Sequence, residues 1–484
     1  MKQSKMYILA CVLVIVCLVM IACSNNNNVN DSANTGNVAE TTTEAIDPRL
    51  LIDDELPEDD FEGYTFRVLT YSTTKYEVEE EDGDIINDAV FARNRNVEDR
   101  YNIHIVAVTA PGIAELTTTA RNSILANEDA YDIMVPHSIT SVPTFITEHL
   151  LLDWNELPYV NFEKPWWNES IIKSTNIFGK QLIASGSYNL SVAPAFCLLV
   201  NKNYIDNYNL EDIYDVVKDY RWTIDYMSEV TKNMTVDLNG DGVYDGQDQF
   251  GFTLNNDNNT LNFMYGFNHH SVLIGDDGYP VPNMNNEKVQ TMVEKLYSLV
   301  FDDNKTFLTT YALQTSDGYP MFRDGRVFIA AAGTDGGISF RDAEFDFGFI
   351  PFPMWDEAQQ GYYTHIDAWQ GVLAIPVTIN DPEMISIIVE ALSARSYKYL
   401  VPAYYDNALG IKYARDVETV EMLDIIYGGI LYDFGYIFDA WQGATWTFPN
   451  MITQKTTDLA SYYASRENAI LANYERIFNA ILDE

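Results

Sequence analysis

The chain has 484 residues, with 29 Lys and Arg against 71 Asp and Glu, for a formal net charge of −42. That acidity argues against nucleic acid as a partner, because no basic stripe is present to neutralise phosphates, and it favours a well-solvated surface. The length suffices for a large core without disulfides and suggests two or three domain-sized units.

The N-terminus begins with Lys2 and Lys5 and runs into an apolar stretch from Met6 to Ala22, followed at once by Cys23. A basic start, an apolar core and a small residue at the cut form a secretory signal layout. With the cysteine directly after Ala22 it resembles a bacterial lipoprotein signal, which implies removal of residues 1–22 and a lipid on Cys23. The alternative is a plain signal anchor. Ser24 to Pro48, SNNNNVNDSANTGNVAETTTEAIDP, is too poor in apolar residues to bury a core, so 23–59 is expected to be an anchored, disordered tether. Cys11 and Cys17 leave with the signal, and Cys197 then has no intramolecular partner. No later stretch is long and apolar enough to span a bilayer, so the remainder is expected to be soluble.

The folded part is expected from about Phe61. Gly63–Ser72 alternates and is rich in β-formers, so a strand is predicted. Ile85, Val90, Phe91, Val97 and Tyr101 recur at near-helical spacing, predicting a helix over Ile85–Tyr101. A strand at Asn102–Ala110, a helix at Ile113–Ala126 and a strand at Tyr131–Ser138 complete a β-α-β-α-β order. That order predicts an open, largely parallel α/β sheet, in which ligands sit at the carboxyl ends of strands. Tyr71, Ser72, Thr73, His137 and Ser138 fall at such ends.

Further strands are predicted at Pro194–Ile205, Gln249–Thr253, Gly325–Gly333, Phe345–Pro353 and Ala368–Pro376. Helices are predicted at Ile224–Met234, Val289–Phe301, Ile385–Ala394 and Thr457–Leu482. No internal repeat of fixed period occurs.

One loop carries its own chemistry. DLNGDGVYDGQD, Asp237 to Asp248, has the spacing D-x-N-x-D-G-x-x-D-x-x-D, which resembles an EF-hand-type calcium loop. Asp237, Asn239, Asp241 and Asp248 would give side-chain oxygens, Val243 its carbonyl, and Asp245 a direct or water-bridged contact. The closing ligand is Asp rather than Glu, and a strand rather than a helix follows. The expectation is a single structural Ca²⁺; the alternative is a solvated acidic turn.

Several stretches, taken together and in order, resemble the extracellular solute-binding lipoproteins of bacterial ABC importers, the carbohydrate-type family 1. They include INDAVFARNRNVEDRYNIHI, YDIMVP, LLDWNELPYVNFEKPWWNE, DLNGDGVYDGQDQFGF, FRDGRVFIAAAG, DFGFIPFPMWDEAQ and PAYYDNALGIKYARD. The resemblance covers the chain from about residue 60 onward and says little about the ligand. It implies a two-lobed periplasmic-binding-protein-like fold with a hinge and an interlobe cleft. The first lobe would be 60–187 plus 345–378 and the second 188–344 plus 379–484, with crossings near Ser185–Val192, Phe345 and Pro376. It further implies a monomeric receptor on the extracellular face of the cell membrane, without enzymatic activity, that captures a sugar or oligosaccharide and delivers it to permease subunits.

In such a cleft, aromatic faces and planar polar groups would meet a sugar. Besides Tyr71, Ser72 and His137, the candidates are Tyr188 and Asn189 in GSYNLS, Asp335 after AAAGT, Trp369 in DAWQG, and Trp441, with Trp446 nearby. Each has a packing role as its alternative. Trp166 and Trp167 are expected to be structural. A secreted glycan hydrolase would need two carboxylates at a catalytic separation, and nothing singles out a pair such as Asp335 and Glu169. No G-x-S-x-G, H-E-x-x-H or phosphate-cradling glycine loop is present. A receptor for peptides rather than sugars also stays open.

Overall fold

The computed structural model describes residues 47–71, 75–190, 194–310, 317–336, 340, 342–404, 417–438 and 443–482. The chain divides into a unit of Met1–Pro48 and a compact unit of Arg49–Glu484. Everything below concerns the second unit. The proposed signal and Cys23 lie outside the described residues, as do Ser72 and Trp441.

Two sheets organise the second unit. In the first, β1 (Tyr64–Thr70) lies between β2 (Ile103–Thr109) and β3 (Ile133–Met134), parallel to both. Helix α1 (Ile85–Tyr101) has the bounds that its periodicity predicts. The Asp84 side chain caps it by accepting from the Ile86 and Asn87 amides, and Asn102 ends it in the left-handed region. Helix α2 (Ile113–Leu125) buries Leu116, Ala120 and Ile124, one face at helical spacing. A short α3 (Val142–Thr147) follows.

The second sheet is mixed. It contains β4 (Phe196–Asn201), β5 (Phe250–Asn255), β8 (Thr306–Thr309), β9 (Val327–Gly333) and β10 (Phe347–Ile350), in the order β10-β4-β9-β5-β8. Strand β4 is antiparallel to β10 and β9, and β5 is parallel to β8 and β9. The pair β6 (Val272–Ile274) and β7 (Pro280–Pro282) forms a separate hairpin. Strands β4, β5 and β9 are almost wholly buried, as the apolar runs of β4 and β9 require when both faces are covered, and β5 buries Thr253 with its hydroxyl donating to the Phe307 carbonyl. Helix α4 (Asn258–Gly266) starts at the end of β5, and α5 (Glu287–Phe301) packs beside β8.

The chain passes between the sheets through two antiparallel segments. Ala184 bridges Leu373, and Ala195 bridges Ile366. Residues 373–376 then reach the first sheet, with Met134 bridging Ala374 and Leu151 bridging Pro376.

Several expected boundaries move. The tether does not extend to residue 59: Ile52 and Leu56 pack on the core of the first sheet, and Asp54 is buried against Arg100 at 2.8 Å. Phe347–Ile350 joins the second sheet as an edge, not the first lobe. Helix α6 (Pro382–Arg395) lies on α1 and shares a core with β1 and β2, although 379–484 was expected in the second lobe. Its inner residues Ile385, Ile388 and Leu392 bury apolar surface worth about 1.5–3 kcal/mol each. The helix is buried all round, and its opposite side carries Glu390, whose carboxylate accepts from the indoles of Trp166 and Trp167. Those two tryptophans are structural, as expected. Helix α7 (Phe434–Phe438) is wholly buried. The last helix, α8 (Glu467–Leu482), packs on α3, and Lys180 Nζ donates to the Ile481 carbonyl at 2.9 Å. Hydrophobic periodicity tells that a helix has an inner face but not which sheet that face covers.

The predicted strand Ala368–Pro376 is instead a 3-10 turn at Ala368–Gln370 followed by isolated bridges. Gly371 breaks it: φ of 67° with ψ of 171° is open to glycine alone, and an added Cβ would lie 2.8 Å from Val135 Cγ1. The predicted helix Thr457–Leu482 is two helices, Leu459–Ala464 and α8. Among the described residues, no helix is long and apolar enough to cross a membrane.

Candidate functional site

The carboxyl ends of strands from both sheets and one crossing segment meet around Trp369. Tyr71 follows β1, and His137 lies three residues beyond β3. The crossing segment brings Asp367, Trp369 and Gln370. From the second sheet, Asp335 follows β9, while Asp257 and Asn258 sit between β5 and the first turn of α4.

Trp369 presents its ring to solvent, with 54% of the residue exposed. Tyr71 and His137 hold it edge-on, with ring centroids 5.5 and 6.2 Å away. The Tyr71 hydroxyl donates to the Trp369 carbonyl at 2.6 Å. A large aromatic face buttressed by two rings and left uncovered is a stacking platform.

Polar groups surround the platform. Asp367 Oδ1 accepts from the Trp369 amide and Oδ2 from Asn258 Nδ2, both at 2.9 Å. Lys75 Nζ donates to Gln370 Oε1. Burial pulls the Lys75 ammonium down to about 8, with the charge of Asp335 working in the opposite direction. Burial also raises the carboxyls of Asp335, Asp367 and Asp257; the Asp335 charge adds to the rise at Asp367, and the Asp367 charge adds to that at Asp257. The three acids therefore share one field, with Lys75 as an opposing charge. Two acceptors, Asp257 Oδ1 and Asn258 Oδ1, are buried without a hydrogen-bond partner. Such groups cost free energy until a donor reaches them.

Of the predicted residues, Tyr71, His137, Asp335 and Trp369 come together here. His137 is buried, which pulls its imidazole down to about 4, so it is neutral and acts as a wall. Tyr188 and Asn189 do not line this surface. Tyr188 is buried beneath the Arg93 guanidinium, 4.9 Å from its ring centroid. Asn189 is a buried pin: its amide donates to the Gly371 carbonyl at 3.0 Å and to Ser185 Oγ at 3.2 Å. Trp446 is also buried, its ring centroid 6.1 Å from that of Tyr436. Sequence reasoning missed Lys75, Asp257, Asn258, Asp367 and Gln370. The rule that pointed to Tyr71 and Asp335 would have found Asp257 and Asn258, since both follow β5 directly.

The acidic loop stands apart from these residues and folds on its own amides. Asp237 accepts from the Gly240 and Gly242 amides at 2.6 and 2.8 Å, and Asp248 from those of Leu238 and Asp245 at 2.9 and 3.0 Å. Asp241 accepts from Val243, and Asn239 from Asp241. Arg326 Nη1 closes the exit by donating to the Gly246 and Asp248 carbonyls. Among the described residues, no group of three or more acidic, histidine or cysteine side chains is arranged to hold a metal.

No protein-family model matches the chain, and no curated protein does. Solved structures do match. The galacto-N-biose-/lacto-N-biose I-binding protein of the ABC transporter from Bifidobacterium longum aligns with a TM-score of 0.58 at 14% identity, covering 86% of this chain and 99% of that one. UspC of M. tuberculosis aligns with a TM-score of 0.55 at 15% identity, over 84% of this chain and 100% of the other. The cyclic alpha-maltosyl-1,6-maltose binding protein from Arthrobacter globiformis aligns at 0.53 and 16% identity, over 87% and 100%. At such identities the likeness is one of fold: the chain has the two-lobed α/β periplasmic-binding-protein-like fold.

Proposed function

We propose that the protein is the solute-binding receptor of an ABC importer, capturing a sugar or oligosaccharide between its two sheets and handing it to permease subunits. The observation that carries this reading is the exposed, buttressed ring of Trp369, set among acceptors contributed by both sheets. A pyranose offers an apolar face for the ring and hydroxyl donors for Asp335, Asp367 and the unpartnered oxygens of Asp257 and Asn258. Matching structures include a lacto-N-biose complex and a cyclic maltosyl-maltose binding protein, which supports a saccharide as the ligand class. Closure of the lobes about the crossing contacts Ala184–Leu373 and Ala195–Ile366 would trap the ligand. Lipidation at Cys23 would keep the receptor at the extracellular face of the membrane beside its permease, and the protein would act as a monomer. The acidic loop Asp237–Asp248 would take one structural Ca²⁺, a reading supported by its spacing and composition.

Titration of tryptophan fluorescence with a panel of glycans and peptides tests the reading. A saturable change with a glycan and no product is expected. Saturation by peptides alone would reassign the ligand class, and glycan turnover would make the protein a hydrolase.

A further inference from the structure

A second polar cavity, of about 510 Å³, opens on the first lobe and shares no lining residue with the surface around Trp369. Its walls come from the N-terminal segment (Asp53, Asp54 and Glu58), from α1 (Arg100), from the end of α6 (Arg395), and from the turn after α6 (Lys398). That turn, Ser396–Leu400, is a π-helix. Insertions of this kind re-aim side chains and recur at functional sites.

The basic groups here are built in but incompletely satisfied. Lys398 is only 7% exposed, yet its ammonium has no hydrogen bond or ion pair among the described residues. Arg395 Nε and Arg100 Nε are buried without acceptors. The acids of the cavity hold its arginines rather than Lys398. Asp54 Oδ2 takes Arg100 Nη1 at 2.8 Å and lies 3.9 Å from Arg395 Nη2, while its Oδ1 accepts from the Leu56 amide. Glu58 takes Arg100 Nη2 at 3.0 Å from an exposed position. Asp53 Oδ1 accepts from the Glu55 amide. Burial and the charges of Arg395 and Arg100 pull the Lys398 ammonium down, while those of Asp54 and Asp53 work in the opposite direction. The buried Nε atoms of Arg395 and Arg100 cost free energy until an acceptor reaches them, and the Lys398 ammonium stays without a direct carboxylate partner among the described residues.

We propose that this cavity is an oxyanion site that takes a phosphate group, with Lys398 and Arg395 as its principal donors. A tetrahedral anion presents several acceptors at once and suits an ammonium flanked by guanidinium edges. The same chemistry is offered by free phosphate and by a phospholipid headgroup.

Thermal unfolding of the full chain at fixed ionic strength, with phosphate replacing chloride, tests it. A saturable rise in Tm on the order of 2–4 °C is expected with inorganic phosphate. Lys398→Gln should abolish the rise while leaving glycan binding unchanged, and Lys398→Met should do the same if the first variant folds poorly. Co-sedimentation with phosphatidylcholine vesicles, with and without phosphatidylglycerol, separates the sources. Anionic-vesicle binding competed by phosphate identifies a headgroup, and a phosphate-induced rise without such binding identifies the free anion. A rise that chloride reproduces, or that survives in both Lys398 variants, would overturn the proposal, as would no rise at all.

Discussion

The indole of Trp167 and the carboxylate of Glu390 meet at 2.9 Å across 223 residues of chain, and the neighbouring indole of Trp166 reaches the other carboxylate oxygen at 2.8 Å. The Asn161 amide adds a third donor at 3.3 Å. Donors favour the charged form, but burial outweighs them and pushes the Glu390 carboxyl up to about 7.

A pH dependence of stability follows. The folded protein holds this proton up to about pH 7, whereas an unfolded glutamate releases it near its ordinary value of 4.5. Between those values the native state binds more protons than the unfolded state, so this group's contribution falls as pH rises through the window. The contribution is on the order of 2 kcal/mol. Urea melts at pH 5 and pH 7.5 should show it. Glu390→Gln should flatten the difference and cost about 1–3 kcal/mol at pH 5, because its amide nitrogen cannot accept from the second indole.

Trp369→Ala should weaken glycan binding roughly tenfold to hundredfold, about 1.5–3 kcal/mol, as expected for loss of a central aromatic anchor. Its exposure means that the Tm should barely move. Calorimetric titration beside a melt distinguishes this from simple destabilisation, since a large Tm loss with unchanged affinity would show the ring to be a packing group.

Gly371→Ala forces a side chain into a glycine-only conformation against Val135 and the Pro136 carbonyl. A loss of about 1–3 kcal/mol is expected in denaturant melts. Asn189→Ala removes the amide that holds the Gly371 carbonyl and should cost a similar amount. Both variants act on a crossing segment, so glycan affinity should fall with stability.

Calcium added to metal-stripped protein should raise the Tm, and Asp237→Ala should abolish that rise. The variant also loses the two amides that Asp237 holds, so its metal-free Tm should be lower. An unchanged wild-type Tm, with no calcium by elemental analysis, would leave an acidic turn closed by its own hydrogen bonds.

Much of the local structure is legible from pattern. Helix α1 follows from apolar spacing, and the buried strands β4 and β9 from apolar runs bounded by polar residues. What pattern cannot supply is partnership. Nothing in the spacing of α6 says that it covers the first sheet, and nothing in GSYNLS says that Tyr188 lies under Arg93. The site was half legible for the same reason. Strand ends pointed to Tyr71, His137 and Asp335, whereas Lys75 and Gln370 gain their place from a contact 295 residues apart.

The tryptophan–glutamate clamp constrains how the chain can be made. Its acid is encoded on a helix 224 residues after Trp166, so no nascent chain shorter than about 390 residues can complete the first lobe. The sheet whose strands are made first must wait for α6, encoded some three hundred residues later, before that part of its core is covered.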